Sequence, residues 1–182
     1  MSNRLTRIYT RTGDDGTTGL ADGTRVQKDH LRIEVLGCLD ELSSQIGLVA
    51  AHLKGEPRGE LSVIQHRLFD LGAEIAIPGT RRLGARDVAW LEQHLDAHNA
   101  GLPPLREFLL PGGGVAAAHC HLARALCRRC ERRLVHLGRE VELNPSTRQY
   151  LNRLSDLLFV LARVLVRQEG GEELLWEPRN GP

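Results

Sequence analysis

Residues 144–168, NPSTRQYLNRLSDLLFVLARVLVRQ, carry the marks of a long α-helix from start to finish. Asn144 can accept hydrogen bonds from the free N–H groups of a first turn. Pro145 suits the first helical position, where its missing N–H would have had no partner anyway. Leu151, Leu154, Leu158 and Leu161 recur every three or four residues, which lays one apolar stripe along a helix. Gly170-Gly171 closes the segment and leaves a short tail with Trp176.

Towards the N-terminus the pattern repeats. A long helix is expected over about 114–137, stopped by Gly138. Before it, Phe108-Leu109-Leu110-Pro111-Gly112-Gly113-Gly114 makes an apolar, strand-like step into a glycine turn. A shorter helix over about 86–99 precedes the loop Gly101-Leu102-Pro103-Pro104. Another, over about 60–77, has Leu61, Ile64, Leu68, Leu71 and Ile75 as its stripe and ends at Pro78-Gly79. The first helix, over about 28–54, carries Ile33, Leu36, Leu39, Leu42, Ile46 and Val49, and Lys54-Gly55-Glu56-Pro57-Arg58-Gly59 breaks it. Residues 1–27, rich in Gly, Thr and Asp, read as an irregular or hairpin-like arm. Nothing alternates as βαβ. The expected fold is all-α: an antiparallel five-helix bundle of four long helices plus a shorter one. Residues 1–27 form the arm, and 28–182 form the bundle domain with its short C-terminal tail.

Composition narrows the function classes. A chain of 182 residues suits one domain, and 41% hydrophobic content is enough for a buried core. No apolar run approaches the length of a bilayer crossing, and the basic start Met1-Ser2-Asn3-Arg4-Leu5-Thr6-Arg7 lacks a signal peptide's apolar stretch. A cytoplasmic protein without a membrane partner is expected. A net charge of +1 argues against a nucleic-acid coat, so any anion must be held by a local cluster. Lysine occurs only at Lys28 and Lys54, a bias that a GC-rich coding sequence explains, although Lys28 falls at a suggestive place. Cys120, Cys127 and Cys130 share one helix with His119 and His121, but their spacing suits no zinc site. With Cys38, they read as reduced core residues.

Three places have the composition of a site. In Thr10-Arg11-Thr12-Gly13-Asp14-Asp15-Gly16-Thr17-Thr18-Gly19, glycines let backbone N–H groups surround a phosphate, and Arg11 and Lys28 can pair with its oxygens. It is not a Walker loop, since the chain has no Gly-Lys pair, and a plain glycine-rich turn fits it too. On the 114–137 helix, His121, Arg124, Arg128, Glu131 and Arg132 fall along one face, with Arg129 and Arg133 as ordinary solvated surface. A central helix cannot bury Arg124 or Arg128 unpaired, so either carboxylates of neighbouring helices or an anionic ligand must satisfy them. Lastly, Asn152, Asp156 and Arg163 form a polar stripe on the last helix, as Asp40-Glu41 does on the first. Either a site between helices or register-fixing salt bridges would account for them.

The order of these motifs resembles the ATP:cobalamin adenosyltransferases of the propanediol-utilisation type. The likeness runs through residues 8–20, Lys28-Asp29, Gly37-Cys38-Leu39-Asp40-Glu41-Leu42-Ser43-Ser44, Phe108 to Gly113, Arg124 to Arg133, and Tyr150 to Phe159. It covers about residues 7–167. The resemblance implies a five-helix bundle that forms homotrimers with ATP bound between subunits. It implies that the arm (Thr10, Arg11, Thr12, Gly13, Thr18, Gly19) wraps ATP with Lys28 near the phosphates, and that Arg128, Glu131, Arg132 and Asn152 complete the nucleotide site. Asp40 and Arg124 match a supporting salt bridge, within or between subunits. Phe108 matches the aromatic residue under the corrin ring that displaces the lower axial ligand. Magnesium accompanies ATP, with a monovalent cation as a further ion. A reductase and a cobalamin-dependent enzyme are the implied partners. Cys38, Cys130 and Gly114 depart mildly from the family's pattern, and nothing is carried over at 79–86.

The implied reaction suits the composition. Cob(I)alamin brings its own nucleophile and no proton moves at carbon, so no activated Ser, Cys or general acid–base pair is required. Lys28, Arg128, Arg124 and Asp40 are the residues expected to support catalysis. Two other readings stand beside it: an ATP-dependent phosphotransferase, which would release adenosine diphosphate, and a cobalamin carrier without turnover. A ferritin-like metal bundle would need Glu-x-x-His motifs on paired helices, and none falls at a credible place.

Overall fold

The computed structural model describes residues 9–178, so the first eight residues of the arm lie outside the described residues. The element order is β1 (Thr17–Gly19), β2 (Arg25–Gln27), α1 (Leu31–Ala51), α2 (Glu56–Ala76), α3 (Ala85–Asn99), α4 (Val115–Leu137) and α5 (Pro145–Gln168). The five helices form the expected all-α bundle. α4 packs between α1 and α5, α2 lies against α1, and α3 lies against α5. The ion pairs give the directions. Glu34 meets Arg133 while Glu41 meets Arg129, so α1 and α4 run antiparallel. Among the described residues, no helix is long and apolar enough to cross a membrane.

Two helix starts differ from expectation, each for a local reason. The backbone N–H of Lys28 donates to Gly16 at 2.9 Å, which ties Lys28 to the arm. α1 therefore starts at Leu31, capped by His30, whose Nδ1 accepts from the Arg32 N–H at 3.1 Å. Residues 56–59 looked like a breaker because of Pro57 and Gly59, yet α2 begins at Glu56. Pro57 sits in its first turn, where a missing N–H has no cost. α5 begins as expected, with Asn144 accepting from Ser146 at 3.1 Å.

The core is one continuous cluster. Leu42 and Ile46 of α1, Leu61, Leu68 and Leu71 of α2, Leu91 of α3, Leu134 of α4 and Leu151, Leu154 and Leu158 of α5 are all buried. Each such side chain contributes about 1.5–3 kcal/mol by leaving water. The four cysteines are free and buried. Cys120 donates to the Leu158 carbonyl at 3.2 Å and Cys127 to that of Leu151 at 3.1 Å. Burial pushes the thiols of Cys120 and Cys130 up to about 12, which keeps them unreactive near neutrality.

The strand-like step before α4 finds its partner in the C-terminal tail. Leu109 bridges Leu175 in antiparallel fashion. The Leu110 N–H donates to the Leu174 carbonyl at 2.9 Å, and the Trp176 N–H to that of Phe108 at 2.7 Å. Gly113 follows at φ 93°, and a side chain there would collide with Val166 of α5. Only glycine lets the chain pass so close to α5 before entering α4.

Candidate active site

The arm is a small hairpin held by its own polar side chains. β1 and β2 pair antiparallel, with Thr18 opposite Val26. Asp22 accepts from the Thr24 N–H at 2.9 Å and from its hydroxyl at 2.6 Å, which fixes the connecting turn. Asp15 does the same with Thr17, at 2.9 and 2.8 Å. These bonds, the backbone one first, hold the Asp15 carboxyl below the usual range. The Arg25 guanidinium donates to the Thr12 carbonyl at 2.5 Å and to the Thr17 hydroxyl. Asp15 and Arg25 are thus committed to the arm's shape.

Other described arm groups face outward. The hydroxyls of Thr10 and Thr12 lie 2.9 Å apart on an exposed segment. Between them Arg11 adopts φ 60°, a left-handed conformation that costs a non-glycine residue about 1–2 kcal/mol. Its guanidinium lies 5.5 Å from the centre of the Tyr9 ring. A Cβ added to Gly13 would stand 3.2 Å from the Lys28 ammonium and 2.9 Å from the Thr17 carbonyl oxygen. The absent side chain lets Lys28 lie over the turn, so the structure brings Lys28 and Gly13 together as the sequence suggested. Thr18 is half-buried and Gly19 exposed on β1.

The second part of the site runs along α4 and α5. Arg124 is half-buried with its guanidinium 5.2 Å from the centre of the Phe159 ring, while Arg128 and Arg132 are exposed. Asn152 donates to Glu131 at 3.2 Å and accepts from Arg153 at 2.7 Å, which gives the two predicted residues a common hydrogen bond. Arg132 also donates to the Arg128 carbonyl at 3.2 Å. Arg129 and Arg133 pair with Glu41 and Glu34 of α1, so they are the neutralised members of the cluster. Among the described residues, no carboxylate lies within ion-pair distance of Arg124, Arg128 or Arg132.

The row ends in a cleft of about 540 Å³ lined by Leu105, Phe108, Pro111, His121, Arg124 and Phe159. Phe108 is 79% exposed, so its ring is not a core anchor. It meets the Trp176 ring edge-on, with centroids 6.4 Å apart. His121 is buried with its ring edge-on to Phe159, centroids 6.3 Å apart. Burial first, and then the Arg124 charge, pull the His121 imidazole below its usual pKa, with Glu173 opposing.

Two groupings differ from the sequence reading. Asp40 stands exposed in a hollow between α1 and α2 beside Phe69 and Gly72, while Arg124 faces α5. One chain therefore does not bring the pair together. Arg163, grouped above with Asn152 and Asp156, is 3% exposed and pairs with Glu173 of the tail at 2.5 Å. It belongs to the tail, not to the stripe. The arm likewise meets the Arg128–Asn152 cluster through no hydrogen bond or ion pair among the described residues of one chain. The sequence reading did not place Phe159 or His121 at this cleft, nor Trp176 against Phe108. An aromatic side chain on a helix or in a tail is too common a signal to stand alone.

Comparison with known proteins agrees on one family. Residues 8–165 match the model of the family described as cobalamin adenosyltransferase. A cobalamin adenosyltransferase of Cupriavidus metallidurans is 56% identical over 179 residues, covering 97% of each chain. A variant of the PduO-type ATP:corrinoid adenosyltransferase of Lactobacillus reuteri, solved with cobalamin and ATP, superposes with a TM-score of 0.89 at 31% identity. The match covers 94% of this chain and all of that one. An arginine-to-lysine variant of the same type, solved with ATP, gives 0.88 at 33% identity over 93% and 100% of the two chains.

Proposed function

The chain belongs to the cobalamin adenosyltransferase family, and from that we propose that it transfers the 5′-deoxyadenosyl group of ATP to the cobalt of cob(I)alamin, giving adenosylcobalamin and triphosphate. The observation that carries this reading is the continuous row on α4. An aromatic cleft at Phe108 and Phe159 adjoins Arg124, and one and two helical turns further Arg128 and Arg132 offer guanidinium groups with no carboxylate within ion-pair distance among the described residues. A flat apolar macrocycle and a polyphosphate fit such neighbours.

In the reaction, the electron pair of cobalt(I) attacks C5′ of ATP. The C5′–O bond breaks, and its electrons leave with the triphosphate. No proton is transferred at carbon. The protein therefore has to align the two substrates and stabilise the charge that grows on the leaving oxygens. Forked guanidinium groups at Arg128 and Arg132 suit that charge, and so does the Lys28 ammonium over the Gly13 turn. Thr10, Arg11, Thr12, Thr18 and Gly19 would wrap the nucleotide, with Glu131 and Asn152 at its edge. Phe108 would stand below the corrin and keep the lower axial position empty.

The arm and the arginines lie apart in one chain, which favours a nucleotide shared between subunits of a homotrimer. Asp40 and Arg124 would then meet across the same interface. Among the described residues, no cluster of three His, Cys, Asp or Glu side chains is set to hold a metal. Magnesium would come with ATP, where it neutralises phosphate charge, and a monovalent cation would be a further ion with no residue assigned to it. A cytoplasmic setting, a reductase and a cobalamin-dependent acceptor enzyme complete the reading. The test is to incubate the protein with ATP and chemically reduced cobalamin. Adenosylcobalamin and free triphosphate in many-fold excess over protein are expected. Adenosine diphosphate as product would indicate phosphoryl transfer instead, and one product per chain without turnover would indicate a carrier.

A further inference from the structure

We propose that Glu173 is a positioning residue for the corrin-side cleft: clamped by Arg163 and Arg167, it fixes the tail strand that sets the place of Phe108. This rests on the reading of Phe108 given above. The Phe108 ring is 79% exposed, so core packing does not hold it. What holds it is backbone. The Phe108 carbonyl accepts from Trp176 at 2.7 Å, and Leu110 donates to Leu174 at 2.9 Å. The tail that supplies these partners, residues 172–178, has little buried apolar surface, since Leu174, Leu175 and Trp176 are all exposed. It is anchored by charge.

The anchor is a buried arginine. Arg163 of α5 donates through Nε to Glu173 at 2.5 Å and through Nη2 to the Pro103 carbonyl at 2.7 Å. The other carboxylate oxygen of Glu173 accepts from Arg167 at 2.9 Å. One guanidinium therefore ties down both segments that flank Phe108: the loop leading to it from Pro103, and the tail strand beside it. A guanidinium 3% exposed needs its counter-charge, so Arg163 keeps Glu173 in place, and Glu173 keeps the strand in place. His121 lines that cleft on one side and, on the other, a small hollow that Arg163 and Glu173 border, so the clamp lies next to the cleft.

The plain alternative is a salt bridge that only stabilises the fold. The experiment uses the full chain with Glu173→Ala and Glu173→Gln, magnesium-ATP and cob(II)alamin. The readout is the electron paramagnetic spectrum of cob(II)alamin, which reports loss of the lower axial ligand. Parent protein is expected to show the four-coordinate species. Folded Glu173→Ala, still binding ATP by calorimetry, is expected to lose at least about tenfold of it, with Glu173→Gln between. Turnover should fall in kcat when starting from cob(II)alamin, with the KM for ATP unchanged. A folded Glu173→Ala chain with the parent spectrum overturns the proposal. So does a Glu173→Gln chain identical to parent where Glu173→Ala fails to fold. Parent protein without the four-coordinate species would instead sink the assigned role of Phe108, and this inference with it.

Discussion

The guanidinium of Arg124 lies over the face of Phe159, 5.2 Å from the ring centre, and Arg128 follows one helical turn away on the same side of α4. Burial and then the Arg128 charge lower the Arg124 pKa from its ordinary value, with Asp156 opposing. Arg124 still stays protonated, because arginine does so under any ordinary condition. A charged group thus stands between the aromatic cleft and the exposed guanidinium groups of Arg128 and Arg132.

Arg124 and Asp40 face different helices within one chain, so their coupling tests the assembly. If they meet across a subunit boundary, Asp40→Asn and Arg124→Gln should each weaken assembly. Their effects should fall short of additive by about 0.5–3 kcal/mol in a double-mutant cycle. Light scattering of the parent should report about three times the 20.2 kDa chain mass. A stable, active monomer would remove the shared nucleotide site, and strict additivity would remove the pair.

Arg128 is exposed and, among the described residues, has no carboxylate within ion-pair distance, which matches a group waiting for an anion. Arg128→Lys keeps the charge but loses the fork. It should lower kcat/KM by a factor corresponding to about 1.5–3 kcal/mol, while the melting temperature stays near that of the parent. An undiminished Lys variant would take Arg128 out of the triphosphate site.

The helices were legible because their signals are local. Asn144-Pro145 marked the start of α5 and Gly138 the end of α4, and the apolar stripes named most of the core, although on α1 Val35 is buried where Ile33 and Leu36 are only partly so. Pro57 misled because the same residue breaks a helix interior yet fits a first turn. The strand-like step at Phe108-Leu109-Leu110 was legible but its partner Leu175 was not, since one bridge between distant segments needs no strand-length alternation in the tail. Arg163 looked like the continuation of Asn152 and Asp156 because helical spacing reports the face of one helix. It does not say which of several neighbours covers that face. For the candidate site, two groupings were legible: Lys28 beside Gly13, and Glu131 bonded to Asn152. The placement of Asp40 was not, because helical spacing reports the face of α1 and does not say that α2 borders Asp40 while Arg124 faces α5.

His121 gives a pH signature. Its imidazole is buried beside Arg124 and the Phe159 ring, with Glu173 of the tail and Arg163 of α5 bordering the same region. Its folded pKa is lowered, so the unfolded chain takes up the proton first as pH falls. The associated stability is fully present above about 6.5 and is lost as pH falls from there through the lower folded value. Denaturant titrations between pH 8 and 5 should therefore show a decline that His121→Gln reduces. The other seven histidines contribute to both curves, so the difference between the curves isolates this one. Parallel curves for parent and variant would mean that His121 titrates normally.

Phe108 separates stability from chemistry. A buried phenylalanine truncated to alanine would cost about 3–5 kcal/mol, but this ring is 79% exposed and its aromatic neighbour is Trp176, edge-on at 6.4 Å. Losing that one contact should cost about 0.5–1.5 kcal/mol, so Phe108→Ala is expected to remain folded, to assemble, and to bind ATP as the parent does. If the ring keeps the lower axial position of cobalt empty, the variant should fail mainly when cob(II)alamin must be reduced on the protein. It should lose far less when cob(I)alamin is supplied already reduced, since the adenosyl transfer itself does not call on the ring. Both assays belong beside a thermal melt of the same preparation. Equal losses in the two assays would remove Phe108 from the reduction step, and a collapsed melting temperature would give it a structural role that its exposure argues against.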